Sequence, residues 1–286
     1  MRIGGGIVTN GAEARPGIPE AVYDVASSAG VYEHLRGCCD TWAPDRVAAA
    51  EAARAAPSII AAARINRDFL LRSVRHSLGL GVGQFLDLGC GYPGWDNVYD
   101  FTRRTIGEQA PVVYVDHDPR VWAHARTTLE NGPGAVAVDA DILAMEQLLA
   151  DRIVRSAFDM TQPVAVLLHD VLPWCPDDDA VHRALGVLRA WMPPGSTLSV
   201  THLTGHWEPD AMEAAAAVYT RHGLGCRLRS EREIAELFGE FIQQGPGLTA
   251  VSHWPEDGPY RTAPAARSAA FAGVAVKPPV PDREAA

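Results

Sequence analysis

Phe85-Leu86-Asp87-Leu88-Gly89-Cys90-Gly91 is an apolar strand that runs into a glycine-rich turn. Strand, tight turn and helix in that order open a βαβ unit. Glycine is needed in the turn because a β-carbon would keep a bound ligand away from the backbone. The helix that follows is expected to offer unpaired N–H groups to that ligand. Gly94 completes a G-x-G-x-x-G pattern with Gly89 and Gly91, a pattern that by itself also fits a dinucleotide such as NAD.

Downstream of this turn, short apolar runs alternate with amphipathic stretches. The pattern predicts strands at about 84–88, 112–116, 135–139, 163–169 and 196–202, with helices at about 95–106, 119–131, 142–155, 178–192 and 210–222. Such alternation means a mostly parallel sheet covered by helices on both faces. Ser230 followed by Glu233 reads as a capping box opening a helix to about Phe238. Two further apolar runs, Phe241 to Trp254 and Phe271 to Val276, are expected to close the sheet as an antiparallel hairpin.

Upstream, residues 18–80 are alanine-rich with helical spacing, broken near Gly37 to Pro44 and at Pro57, with Ser58 as the expected N-cap of the last piece. This predicts a helical cap, followed by a ligand-binding domain over 81–278, with disordered tails at 1–17 and 279–286.

With 35 acidic against 25 basic residues the formal charge is -10, which disfavours nucleic acid and anionic membrane surfaces as partners. No run of about 18 apolar residues and no leader-like start occurs, so a cytoplasmic protein is expected. Five cysteines without a C-x-x-C pair argue against a disulfide framework and a zinc site. Oligomeric state is not legible in these residues.

Three carboxylates then narrow the ligand. Asp87 stands two residues before the first glycine, where a pyrophosphate would be repelled and an ammonium attracted. Val112-Val113-Tyr114-Val115-Asp116 ends a strand in an acid able to accept two ribose hydroxyls, though 29 residues beyond Asp87, a long interval for a dinucleotide. Asp141, after the third strand, can accept from an adenine amine, with Ala140 and Ile142 beside it as an apolar wall. A cationic nucleoside, S-adenosylmethionine, meets all three. Strand-ending aspartates also serve as turn formers and caps, and that alternative stays open for each.

In this order of motifs the chain resembles a class I methyltransferase. More closely, it is similar to the S-adenosyl methyltransferase family long catalogued as a domain of unknown function, over roughly Ser27 to Pro278. The matching stretches include Val31-Tyr32, Ala43-Pro44-Asp45-Arg46, Ala63-Arg64-Ile65-Asn66-Arg67-Asp68-Phe69-Leu70, Gln84 to Gly91, Asn97-Val98, Tyr114 to Pro119, Asp139-Ala140-Asp141, Pro176 to Asp179 and Lys277-Pro278. The resemblance implies a Rossmann-like seven-stranded α/β sheet, mostly parallel, under an N-terminal helical cap. It implies S-adenosylmethionine as cofactor and S-adenosylhomocysteine as product, but no settled substrate or catalytic residue. The residues expected around the cofactor are Arg64, Asp87, Gly89, Cys90, Gly91, Asp116, His117, Asp141, Ile142 and His169. Departures fall at Gly37-Cys38-Cys39-Asp40-Thr41-Trp42, where the family's lysine is missing, and at His169-Asp170 with Pro173-Trp174, where the strand mouth is rebuilt.

Residues after the fourth and fifth strands of a doubly wound sheet reach a substrate. His169 is expected as general base with Asp170 as its orienter or a second acceptor, and His202 as a further candidate. A phenol of pKa about 10 justifies such a base at pH 7. His169 as a strand cap is the competing reading. His202 and His206 are spaced like metal ligands on a helix, but Gly205 and Pro209 oppose a helix there, and no metal is expected. Arg64 and Arg67 flank Asn66, and an arginine fork there would suit the cofactor's carboxylate as well as ordinary surface. Trp42, Tyr92, Trp95, Trp174 and His206 are the expected acceptor-pocket residues, with core packing as the alternative for the tryptophans.

The expected function is methylation of a small, aromatic or phenolic, biosynthetic metabolite. Three alternatives remain: base-assisted cyclisation or elimination in the same pocket, such as cyclopropane closure with loss of S-adenosylhomocysteine; a non-catalytic S-adenosylmethionine-binding module; and an NAD-dependent dehydrogenase.

Overall fold

The computed structural model describes residues 18–39, 41–94, 97–107, 110–129, 134–255, 259 and 262–279. The expected tail at 1–17 lies outside the described residues, and so does the tail at 279–286 apart from Pro279. Three helices come first: α1 (Ser28–Arg36), α2 (Ala43–Ala55) and α3 (Ser58–Gly79). The Ser27 side chain caps α1 by accepting from the Gly30 N–H, and Gly37 ends it in the left-handed region at φ +102°. Ser58 does not cap α3. It is already the first helical residue, with Pro57 at the cap position and no side-chain bond there.

The alternating core follows as β1 (Phe85–Leu88), α4 (Val98–Ile106), β2 (Val112–Asp116), α5 (Pro119–Leu129), β3 (Ala135–Asp139), α6 (Met145–Ala150), α7 (Arg152–Ala157), β4 (Ala165–His169), α8 (Asp178–Trp191), β5 (Thr197–Leu203), α9 (Pro209–Arg221) and α10 (Glu231–Glu236). Each predicted strand is present within two residues. The single helix expected over 142–155 is broken at Asp151, whose extended ψ of 140° interrupts the coil while its carboxylate caps Ile153 N–H. The capping box at Ser230 and Glu233 is formed, with Ser230 N–H donating to Glu233 Oε2 at 2.7 Å.

The chain ends in β6 (Ile242–Gln243), β7 (Thr249–Ala250) and β8 (Ala270–Val276). The expected hairpin is antiparallel, but its first arm is split. Gly245 and Gly247 adopt positive φ between β6 and β7, and each short strand pairs separately with β8. The sheet order is β3-β2-β1-β4-β5-β8-β6, with β7 also on β8. Strands β1 to β5 run parallel and β8 antiparallel to β5. This is a mixed α/β fold around a mostly parallel sheet, with the sixth of the expected seven strands divided into β6 and β7.

Strand alternation separates the faces. Leu86, Leu88, Val113, Val115, Val166 and Leu168 pack with α6, α8 and α10. Phe85, Val112, Tyr114 and Leu167 pack with α3, α4 and α5. Asp87 shares the second face with Phe85, which places a carboxylate among apolar neighbours. A third cluster joins α1 and α2 to α9 and β8 through Val31, Ala49, Ala52, Met212 and Ala272. Gly30 is required there, because a β-carbon would stand 2.2 Å from an Asp45 oxygen. All five cysteines are free.

Candidate active site

The carboxyl ends of β1 to β4 open on a cleft of about 870 Å³, open solvent included, roofed by Ser28, Ala29 and Tyr32 of α1 and by Asn66, Arg67 and Leu70 of α3. It gathers eleven residues named from the sequence. Asp87, Gly89, Cys90, Gly91 and Asp116 line one end, with His117, Asp141 and Ile142 beside them. His169, Asp170 and Trp174 follow β4.

The glycine turn is bolted to β2. Gly89 and Cys90 N–H groups both donate to Val115 carbonyl oxygen, at 2.8 and 3.0 Å, and Gly91 N–H donates to Asp116 Oδ2 at 2.9 Å. The expectation of free N–H donors is therefore corrected: these three are engaged, and α4 begins only at Val98, capped by Asn97. A pyrophosphate finds no donor nest in this turn. Gly89, at φ +68°, could not carry a β-carbon, which would meet Val171 Cγ2 at 2.2 Å. Gly91, at φ +60°, has nothing within 4 Å of that position, so its face is left open to the cleft.

Three acids ring that opening. Asp87 is 5 % exposed; burial lifts its pKa to about 7, Asp116 adding to the rise and Arg67 opposing it. Asp116 is also raised by burial, although Oδ1 accepts from Asp118 N–H at 3.0 Å. Asp141 is exposed and caps the turn at Ile142 through Leu143 N–H at 2.8 Å. His117 sits at the rim with its side chain 70 % exposed, 3.9 Å from Asp116.

The second end differs. His169 Nε2 lies 2.7 Å from Ser199 Oγ, its ring packs edge-on against Phe69, and Nδ1 is buried without a partner. Burial first, then Arg67 and Arg72, push its pKa down to about 3, so the ring is neutral at physiological pH. Asp170 adopts φ +57°, a strained value for a residue other than glycine. Its carboxylate is buried, Oδ1 has no partner, and burial lifts its pKa to about 8 against a bond from Leu203 N–H. Trp174 lines the wall and packs edge-on against Tyr219.

Other expectations are not met. Arg64 is exposed and donates to Arg36 carbonyl, while Arg67, three residues on, lines the cleft. Trp42 packs on Tyr23, and Tyr92 on His124. His206 packs edge-on against both Trp207 and Phe271. His202 is fully buried: Nδ1 donates to Leu203 carbonyl and Nε2 accepts from Arg229. Arg229 also bonds Leu172 and Cys175 carbonyls and Asp178, so this histidine anchors the loop after β4 instead of facing substrate. Trp95 lies outside the described residues. Among the described residues, no group of three His, Cys, Asp or Glu is arranged to hold a metal, and no helix is long and apolar enough to cross a membrane. Sequence reasoning missed Val171 and Cys175, and quoted Tyr32 and Asn66 only as parts of motifs. The signal for the α3 residues was helical phase: Asn66, Leu70 and Arg67 fall within an arc of about 100° around the helix, and Arg64 lies beyond it.

The family model described as S-adenosyl methyltransferase matches residues 19–278. A DUF574 family protein from Streptomyces avermitilis is 30% identical, with a TM-score of 0.84 over 90% of this chain and 99% of its own. A proposed methyltransferase from Thermobifida fusca is 31% identical, with a TM-score of 0.84 over 92% of this chain and 100% of its own. Comparison with curated proteins gives no match.

Proposed function

Because the chain belongs to the S-adenosyl methyltransferase family, whose cofactor is S-adenosylmethionine, we propose that it methylates a small, aromatic or phenolic, biosynthetic metabolite. The observation that carries this reading is the roofed cleft, with an acid-ringed end for a cationic nucleoside and a separate end at Asp170. A cleft lined by helix residues of α1 and α3 as well as by the strand ends suits a small acceptor better than a macromolecule.

Asp87 would hold the ammonium, Asp116 the ribose hydroxyls, and Asp141 with Ile142 the adenine. Cys90 and Gly91 leave room beside them, His117 closes the rim, and Arg67 takes the carboxylate that Arg64 is too exposed to reach. When bound, S-adenosylmethionine supplies a methyl on a sulfonium: the acceptor–carbon bond forms as the sulfur–carbon bond breaks, and its electron pair stays on sulfur. The chain's own task is to align the acceptor and take its proton.

We assign that proton to Asp170 Oδ1 instead of His169. An imidazole held near pKa 3 is a poor base for a phenol, whereas a carboxyl near 8 is closer to one; only its ionised fraction, about a tenth at pH 7, can take the proton, and a bound sulfonium would enlarge that fraction. His169 then orients the wall, and Trp174 offers an aromatic face. Ring closure or elimination in the same cleft has no separate observation in its favour.

The test is calorimetry with S-adenosylmethionine, S-adenosylhomocysteine and NAD, followed by mass spectrometry of phenol, catechol and aniline incubations. Binding of both nucleosides without NAD, and a product heavier by one CH₂, is expected. Binding of NAD alone would overturn the reading.

A further inference from the structure

Asn66 is 4 % exposed and sits at the roof of the cleft. Its Nδ2 donates to Tyr32 Oη at 3.0 Å, and Tyr32 Oη donates onward to Ala63 carbonyl at 2.9 Å. That relay fixes the amide's orientation, so Oδ1 is the free atom, and it is buried without a partner. Asp170, 9 % exposed, presents a second buried oxygen without a partner to the same cleft. Both residues line that cleft, Asn66 from α3 and Asp170 from the turn just after β4.

Buried acceptors left unmatched are costly, and they are kept where a ligand completes them. Resting on the methyl-transfer reading, we propose that Asn66 Oδ1 and Asp170 Oδ1 form a two-acceptor clamp for a substrate bearing two adjacent hydrogen-bond donors, as in a vicinal aromatic diol. One donor is the hydroxyl that is methylated and gives its proton to Asp170. The other is read by Asn66. In its ionised form Asp170 also repels a second carboxylate or a phosphate from this end.

Catechol, guaiacol and 1,2-dimethoxybenzene carry two, one and no such donors and serve as probes. They are titrated at pH 8.5, where the Asp170 carboxyl is mostly ionised, into the S-adenosylhomocysteine complex of the full chain. The clamp predicts that affinity falls roughly tenfold or more from catechol to guaiacol and again to 1,2-dimethoxybenzene. In Asn66→Leu the catechol-to-guaiacol ratio collapses to under about twofold, while S-adenosylhomocysteine affinity changes by less than about twofold. A flat order in the wild-type protein overturns the clamp without any variant. So does an unchanged ratio in Asn66→Leu. A tenfold loss of S-adenosylhomocysteine affinity in that folded variant would instead assign Asn66 Oδ1 to the cofactor's ammonium and also overturn it. Failure of the wild-type chain to bind S-adenosylhomocysteine at all removes the underlying reading.

Discussion

Lowering the pH from 7.0 to 5.5 should weaken S-adenosylmethionine binding through one side chain, Asp87. Without ligand its carboxyl titrates at about 7 because burial outweighs the attraction of Arg67. A cation beside it favours the ionised form, so the bound pKa falls and protonation competes with binding. The sign follows: affinity is highest above pH 7 and declines as pH drops through that value. With the bound pKa well below 5.5, the penalty factor is one plus ten raised to the difference between 7 and the pH, about 2 at pH 7 and about 33 at pH 5.5. The ratio is about 15-fold, or about 1.6 kcal/mol. The cofactor's own amine stays largely protonated throughout this interval. Asp116 and Asp170 are also raised, so the contribution of Asp87 is the difference between wild type and Asp87→Asn. Calorimetry in buffers of unequal ionisation enthalpy supplies a second reading, about half a proton released at pH 7 in wild type beyond that in the variant. Equal pH slopes in the two proteins would refute the reasoning, whatever the absolute affinities.

The same burial makes Asp87 a stability liability. A raised folded-state pKa in an acid means stability is present below about pH 4 and lost as pH climbs to about 7, so ligand-free Asp87→Asn should gain about 2–4 kcal/mol at pH 8 by calorimetric melting; a lower melting temperature contradicts this. Gly89→Ala must displace Val171 and hold positive φ, and urea denaturation should register a loss of at least ~2 kcal/mol. Gly91→Ala meets open space, so about 1–2 kcal/mol is expected in the same assay, with S-adenosylhomocysteine affinity down more than about tenfold; similar binding to wild type would show that the nucleoside does not use that face. Arg229→Met strands His202, Asp178 and two carbonyls and should cost about 3–5 kcal/mol in urea; a neutral result would remove the anchoring role. His202 is held near pKa 3, below its unfolded value, so its contribution stands above about pH 6.5 and drains as pH falls toward 3. His202→Asn should flatten that acid limb of a melting-temperature profile.

The parallel core was legible because β1 to β4 are nearly continuous apolar runs ended by Asp, Gly or His and β5 alternates Leu198, Val200 and Leu203 with polar residues, a local signal. The acids at 87, 116 and 141 were legible for the same reason: each lies at or near the end of a strand that opens on the cleft. What escaped depended on distance in sequence. His202 reads as a strand-end histidine with a free ring, and only the fold brings Arg229 onto its Nε2. Trp42 finds Tyr23, and His206 finds Phe271, through packing that no short window contains. The assignment of His169 as base assumed an ordinary imidazole, whereas Phe69 and two arginines of α3 surround it. Asn66 was overlooked because its importance lies in an oxygen left over after Tyr32 takes the amide nitrogen.

The turn after β2 does more than end a strand. Asp118 pairs with Arg120 at 3.0 Å, Arg120 reaches Val25 carbonyl at 3.3 Å just ahead of α1, and Ser27 N–H is held by Asp45 at 2.8 Å. Rafters and foundation thus share a joist. Any route of ligand exchange that lifts α1 must first break the bonds of Arg120 to Val25 and of Asp45 to Ser27, so the dwell time of a nucleoside on that route is governed by how often the chain itself breathes open.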